Sequence, residues 1–126
     1  MKVTLFPTLE ECLLLHEKLL FRFGGQAGVR DLGLLDSALA RPRSGYYATL
    51  SEQAAAIMQS LALNHCFMDG NKRVSFALTA IFLRTNGYHL RVTANEGEKF
   101  LIQQVIEKKV GIPEIATWLE KHMRII

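Results

Sequence analysis

The stretch from Asn71 to Asn86, NKRVSFALTAIFLRTN, constrains this chain more than any other. Val74, Phe76, Ala77, Leu78, Ala80, Ile81, Phe82 and Leu83 leave a helix almost no polar face. A helix apolar all round needs protein on every side, so this one is expected at the centre of a fold made of other helices. The chain has 126 residues, 49% of them hydrophobic. That suits a single domain spanning 1–126, large enough to bury about two-thirds of its unfolded surface without staples.

Cap and breaker residues place the other helices. Thr8 and Glu11 have the spacing of a capping box, and Gly24 and Gly25 end the helix that follows, 9–23. A glycine-rich connection, with turn residues at Gly24, Gly25 and Gly28, leads to Asp31. Asp31 is a cap for a second helix carrying Leu34, Leu35, Ala38 and Leu39, which Pro42 ends. Residues 42–50, PRSGYYATL, fit an exposed loop or a small hairpin, with Tyr46 and Tyr47 as candidate surface readers. Ser51 is the expected cap of a third helix, 52–65. Residues 88–92 read as a short extended segment. Two further helices, 95–109 and 113–124, are separated by Gly111 and Pro113. The expectation is an all-α domain of about six helices with room for one small β-hairpin.

Several functional classes fall away. Lys and Arg number 15 against 12 Asp and Glu, and Lys108, Lys109, Lys121 and Arg124 are interleaved with Glu107, Glu114 and Glu120. A nucleic-acid binder carries a clustered basic excess instead. Cys12 and Cys66 are too few for a disulfide framework and lack zinc spacing, and His16, His89 and His122 are scattered, with structural or surface roles. The opening MKVTLFPTLEE turns acidic before a signal core forms, and no long apolar run follows. A cytoplasmic protein without a membrane span is expected.

The chemistry gathers in His65-Cys66-Phe67-Met68-Asp69-Gly70-Asn71-Lys72-Arg73. Lys72 and Arg73 lie in the first turn of the apolar helix, where unpaired N–H groups already make a positive end, so each cation costs about 0.3–1 kcal/mol unless an anion offsets it. N–H groups, guanidinium, ammonium and the Asn71 amide converging there would hold a nucleotide phosphate. A carboxylate beside phosphates can hold a divalent cation, which is the role expected of Asp69. An imidazole can take a hydroxyl proton, the role expected of His65. Phe67 points into the core as an anchor. Singly, each residue reads as a cap, a turn or a surface charge; in this order they describe phosphoryl or nucleotidyl transfer to a hydroxyl.

The run HCFMDGNKR resembles the signature of the Fic/Doc family, H-x-F-x-D/E-G/A-N-K/G-R, and GGQAGVRDLGLLDSALARP upstream is similar to the corresponding segment of its Doc (death-on-curing) branch. The resemblance covers nearly the whole chain. It implies a Fic-type helical fold that binds ATP with Mg2+. By matching positions, His65 is the general base on a target Ser, Thr or Tyr and Asp69 holds the magnesium. Asn71, Lys72 and Arg73 hold phosphates, Gly70 gives backbone access, and 42–50 is the flap that aligns a target protein.

Two departures separate the chain from the AMP-transferring pattern H-P-F-x-D/E-G-N-G-R-x-x-R: Lys72 replaces the second glycine, and Phe76 stands where the second arginine would be. Doc-type toxins share both, and the resemblance links them to transfer of the terminal phosphate. It implies a kinase acting on a threonine of elongation factor Tu, so that translation stops. AMP transfer to a protein hydroxyl is the alternative, and a catalytically silent nucleotide-binding adaptor is the alternative from another class. Thr93-Ala94-Asn95-Glu96-Gly97 approaches the inhibitory pattern S/T-x-x-x-E-G/N but is one residue short, which turns the glutamate by about 100° on a helix. It reads as a helix start, and inhibition is expected from a small antitoxin supplied in trans.

Overall fold

The computed structural model describes residues 3–126. Six α-helices run in the order α1 Leu9–Phe23, α2 Leu32–Ala40, α3 Leu50–Leu63, α4 Asn71–Thr85, α5 Ala94–Phe100 and α6 Ile112–His122. A 3-10 turn, Arg41–Arg43, follows α2, and a π-helical stretch, Leu101–Glu107, continues α5. Two short strands, β1 Tyr88–Leu90 and β2 Met123–Ile125, pair antiparallel with Tyr88 opposite Ile125 and Leu90 opposite Met123. The fold is all-α with one small two-stranded sheet.

Local chemistry accounts for the helix starts. Thr8 and Glu11 form the reciprocal capping box of α1. Asp31 caps α2 by accepting the Leu34 N–H at 3.0 Å. The cap of α3 is Thr49 rather than Ser51: Thr49 accepts the Glu52 N–H and Glu52 accepts that of Thr49, both at 3.1 Å, while Ser51 is buried inside the first turn. Thr49-Leu50-Ser51-Glu52 has capping-box spacing, and the reciprocal pair satisfies two backbone donors where Ser51 would satisfy one.

The central helix is α3, not α4. Ala54, Ala55, Ala56, Ile57, Met58 and Leu61 are fully enclosed, because small side chains let neighbours approach from all sides, and α4, α6, α2 and the 3-10 turn all pack on it. Helix α4 lies alongside, burying Val74, Ser75, Leu78, Thr79, Phe82 and Leu83 while Ile81 stays 45% exposed. Its buried hydroxyls are satisfied: Ser75 donates to the Met58 carbonyl of α3 and Thr79 to the Ser75 carbonyl. Cys12 and Cys66 are both enclosed, and burial pushes the Cys12 thiol up to about 12 and raises that of Cys66.

No hairpin forms at 42–50. Pro42 is buried in the 3-10 turn, and the residues after it form bends and loop before α3. The paired strands come instead from 88–90 and the C-terminal 123–125. Among the described residues, no helix is long and apolar enough to cross a membrane.

Candidate active site

Helix α3 ends at Leu63, and His65 follows its cap, Asn64, with φ +50. The left-handed backbone turns the chain sharply off the helix axis, a conformation that non-glycine residues adopt at a cost and that gathers at functional sites. His65 is exposed, and among the described residues its ring has no hydrogen-bond partner, so both nitrogens are open to a substrate.

The next residues are clamped from three sides. Phe67 is buried at 1% exposure, worth about 1.5–3 kcal/mol for a side chain of its kind. Its ring stacks on His16 of α1 with centroids 3.8 Å apart. The connector between α1 and α2 supplies the second clamp: Val29 pairs with Phe67 in an isolated antiparallel bridge. Arg30 and Asp31 donate their N–H groups to the Cys66 carbonyl, and Met68 donates to the Gly28 carbonyl at 3.0 Å. The glycines at 24, 25 and 28 all have positive φ, so they turn the chain as expected, and the Gly28 carbonyl also holds the motif loop.

The third clamp is Asn71. Its Oδ1 accepts the Phe67 N–H and its Nδ2 donates to the Phe67 carbonyl, both at 3.0 Å. The amide therefore turns back on the loop rather than converging on a phosphate, because two neighbouring backbone groups satisfy it at once. Asn71 shapes the cradle, and its backbone N–H remains part of it.

Asp69 sits at the rim, exposed, with Oδ2 accepting the Gln26 N–H at 3.0 Å and Oδ1 accepting the Gly70 N–H at 2.8 Å. Those two bonds, Gln26 first, hold its carboxyl below the ordinary value, so it is ionised at neutral pH with lone pairs to spare. Gly70 is left-handed at φ +83 and caps α4 with no side-chain bond, leaving the N–H groups of Asn71, Lys72 and Arg73 without intrahelical partners. The side chains of Lys72 and Arg73 are exposed. The Arg73 guanidinium lies over the Phe23 ring at 4.7 Å, and Arg22 over the same ring at 5.3 Å. A helix start with unpartnered N–H groups and two exposed cations thus follows an exposed imidazole along one short loop.

Among the described residues no group of three or more His, Cys, Asp and Glu could hold a metal by themselves. A single ionised carboxylate with free lone pairs does fit Mg2+, which ordinarily takes one or two carboxylates and completes its shell with substrate phosphates and water.

The candidate flap is tied to the helix that delivers His65. Arg41 donates to Gln59 and Ser60 of α3, both at 2.9 Å, and to the Tyr47 hydroxyl at 2.7 Å. Tyr47 is half-buried and held there, which corrects its reading as a free surface reader: its hydroxyl already serves Arg41. Tyr46 is 83% exposed and remains free. Phe76, one turn into α4, packs against Gly97 of α5, where an added Cβ would fall 2.5 Å from its Cε2. Glu96 starts α5 with Thr93 as cap and accepts the Thr93 hydroxyl at 2.9 Å. It is a helix-start residue, as its spacing from Thr93 suggested.

Comparison with known proteins gives the family. The sequence profile described as "Fic/DOC family" matches residues 6–83, which takes in α1, the connector, the motif loop and most of α4. The protein named Toxin Doc from Mycolicibacterium smegmatis is 49% identical over 103 residues, 77% of this chain and 79% of that protein. Protein kinase doc of Escherichia phage P1 is 34% identical over 82 residues, 62% of this chain and 65% of that one. With the profile spanning most of the chain and the clamped loop lying inside it, the chain belongs to the Fic/DOC family.

Proposed function

We propose that this protein is a Doc-like toxin of a toxin-antitoxin system that transfers the terminal phosphate of ATP to a hydroxyl of a target protein, with a threonine of elongation factor Tu as the target implied by the Doc resemblance. The observation that carries the reading is His65, exposed on a left-handed turn beside a helix start whose N–H groups and two cations are open to solvent.

In this mechanism the N–H groups of Asn71 to Arg73, with the Lys72 ammonium and the Arg73 guanidinium, hold the phosphates by charge-assisted hydrogen bonds. A His65 ring nitrogen takes the hydroxyl proton of the target as its oxygen bonds to the terminal phosphorus. The bond from that phosphorus to the bridging oxygen breaks, and ADP leaves. Bound through Asp69, Mg2+ would offset phosphate charge. Tyr46, exposed on a loop that Arg41 ties to α3, is placed to meet the target chain.

Phosphate rather than AMP transfer is favoured by Phe76. Its ring fills the space against Gly97, so the second turn of α4 offers no guanidinium to a further phosphate, while Lys72 adds a cation in the first. Of the two relatives, one is named a protein kinase. Glu96 is bonded to Thr93, which leaves inhibition to a small antitoxin supplied in trans. A cytoplasmic site of action goes with ATP as donor.

The test is transfer of label to purified elongation factor Tu from ATP labelled on the terminal or the innermost phosphate. Label is expected from the terminal phosphate alone. Label from the innermost phosphate alone makes the protein an AMP transferase, and label from neither, with ATP still raising the melting temperature in the presence of magnesium, makes it a silent binding module.

A further inference from the structure

His16 lies about two turns into α1 and is 4% exposed. A leucine would fill that volume, and burying a polar ring is costly unless it is bonded. The ring meets the motif loop at three successive places. It stacks on Phe67 at 17° between planes. Its Nε2 lies 2.8 Å from the Asp69 carbonyl oxygen, and since a carbonyl only accepts, Nε2 carries the proton. Nε2 and Cδ2 also lie 3.6 and 3.7 Å from where a Cβ of Gly70 would stand, so the ring floors the glycine.

We propose that His16 is a positioning residue that sets the direction of the Asp69–Gly70 peptide, which rests on the function proposed above. In a trans peptide the C=O and the following N–H point opposite ways. With the carbonyl drawn inward to His16, the Gly70 N–H is sent outward, where it holds Asp69 Oδ1 at 2.8 Å. Gly70 is free to adopt other backbone angles. Without the inward bond, the peptide can turn over, which releases the Asp69 carboxylate and aims a carbonyl oxygen at the anion cradle.

Two variants separate the bond from the filling. His16→Phe keeps an aromatic ring on Phe67 without a donor, and His16→Gln keeps an N–H donor near the Nε2 position without the ring. The first readout needs no nucleotide: the amide 15N shift of Gly70, which follows the direction of its peptide and to which the current of a nearby ring adds little. In His16→Phe that amide is expected to move further than those of Val74 and Leu78, and the KM for Mg-ATP to rise about tenfold, the scale of one lost hydrogen bond in a polar site. In His16→Gln the amide stays near its original position and the KM within about twofold.

An unmoved Gly70 amide in a folded His16→Phe protein overturns the proposal. So does a His16→Gln protein in which the amide is displaced, and that variant decides alone should the phenylalanine variant not fold. If the unaltered protein transfers no phosphate, the functional reading falls, while the ligand-free Gly70 comparison still decides the role of His16.

Discussion

The Asp69 carboxylate latches the connector between α1 and α2: its Oδ2 accepts the Gln26 N–H at 3.0 Å. Gly25 makes this approach possible, since a Cβ there would stand 2.9 Å from Oδ2, and its φ of +122 suits glycine. The residue assigned to the cation thus also holds the wall of the site. Because Gln26 and then Gly70 lower the Asp69 pKa, the latch is fully present above the ordinary carboxylate range and is lost as pH falls through the lowered value. Hydrogen exchange of the Gln26 amide is expected to lose protection with a midpoint below that of an unperturbed aspartate. Asp69→Asn, with one acceptor instead of two, should show weakened protection at every pH. A midpoint at or above the ordinary value contradicts the latch.

His65→Ala removes the proton acceptor without touching a buried contact, since the ring is exposed and bonded to nothing among the described residues. Transfer is expected to fall by about 10²- to 10⁴-fold, the usual worth of a general base. The melting temperature should stay within a few degrees, because surface changes of this kind rarely exceed about 0.5 kcal/mol. Single-turnover kinetics beside a thermal melt check both, and undiminished transfer removes His65 from the mechanism.

Phe23 supports Arg73. The guanidinium rests over its ring at 4.7 Å, an exposed cation–π contact worth about 0.5–1 kcal/mol. If that contact holds Arg73 ready for phosphate, Phe23→Leu should raise the KM for Mg-ATP about two- to fivefold with kcat unchanged. A fall in kcat at constant KM would instead place Phe23 in the chemical step.

How far the molecule is legible from its sequence follows from the range of the interactions. Thr8 and Asp31 act on groups three residues away, and both caps can be read directly. Thr49 is equally local, and its Thr-x-x-Glu spacing was the available signal, yet Ser51 competes for the same role until both donors are counted. The order of His65, Asp69, Gly70, Lys72 and Arg73 stands out because two successive cations are out of place in the first turn of a helix, although singly each residue is ordinary. The direction of the Asn71 amide is not legible, because an amide serves a phosphate or a backbone equally well. His16 is invisible for another reason: its bond partner lies 53 residues away, and a lone histidine on an apolar helix face carries no mark of what it meets. The β1–β2 pairing, between 88–90 and 123–125, is hidden likewise, its partners standing 33 to 37 residues apart.

Position 76 yields a last prediction. Gly97→Ala would bring a Cβ to 2.5 and 2.6 Å from Phe76 Cε2 and Cζ, too close unless the ring moves. Overpacking of this kind costs about 1–3 kcal/mol, measurable by urea unfolding. Phe76→Leu removes the atoms in conflict, so the double variant should recover more than half of the loss of Gly97→Ala when each is referred to its own parent; additive losses would mean that the two residues do not press on one another. The same contact explains why an arginine cannot simply be restored there. In Phe76→Arg the side chain must either bury a charge beside Gly97, which is strongly unfavourable without a partner, or swing out and leave a hole between α4 and α5. The expected outcome is a less stable protein that gains no AMP transfer. Gain of AMP transfer at unchanged stability would show that α4 is free to present position 76 to a nucleotide, and would remove the packing basis for preferring the terminal phosphate.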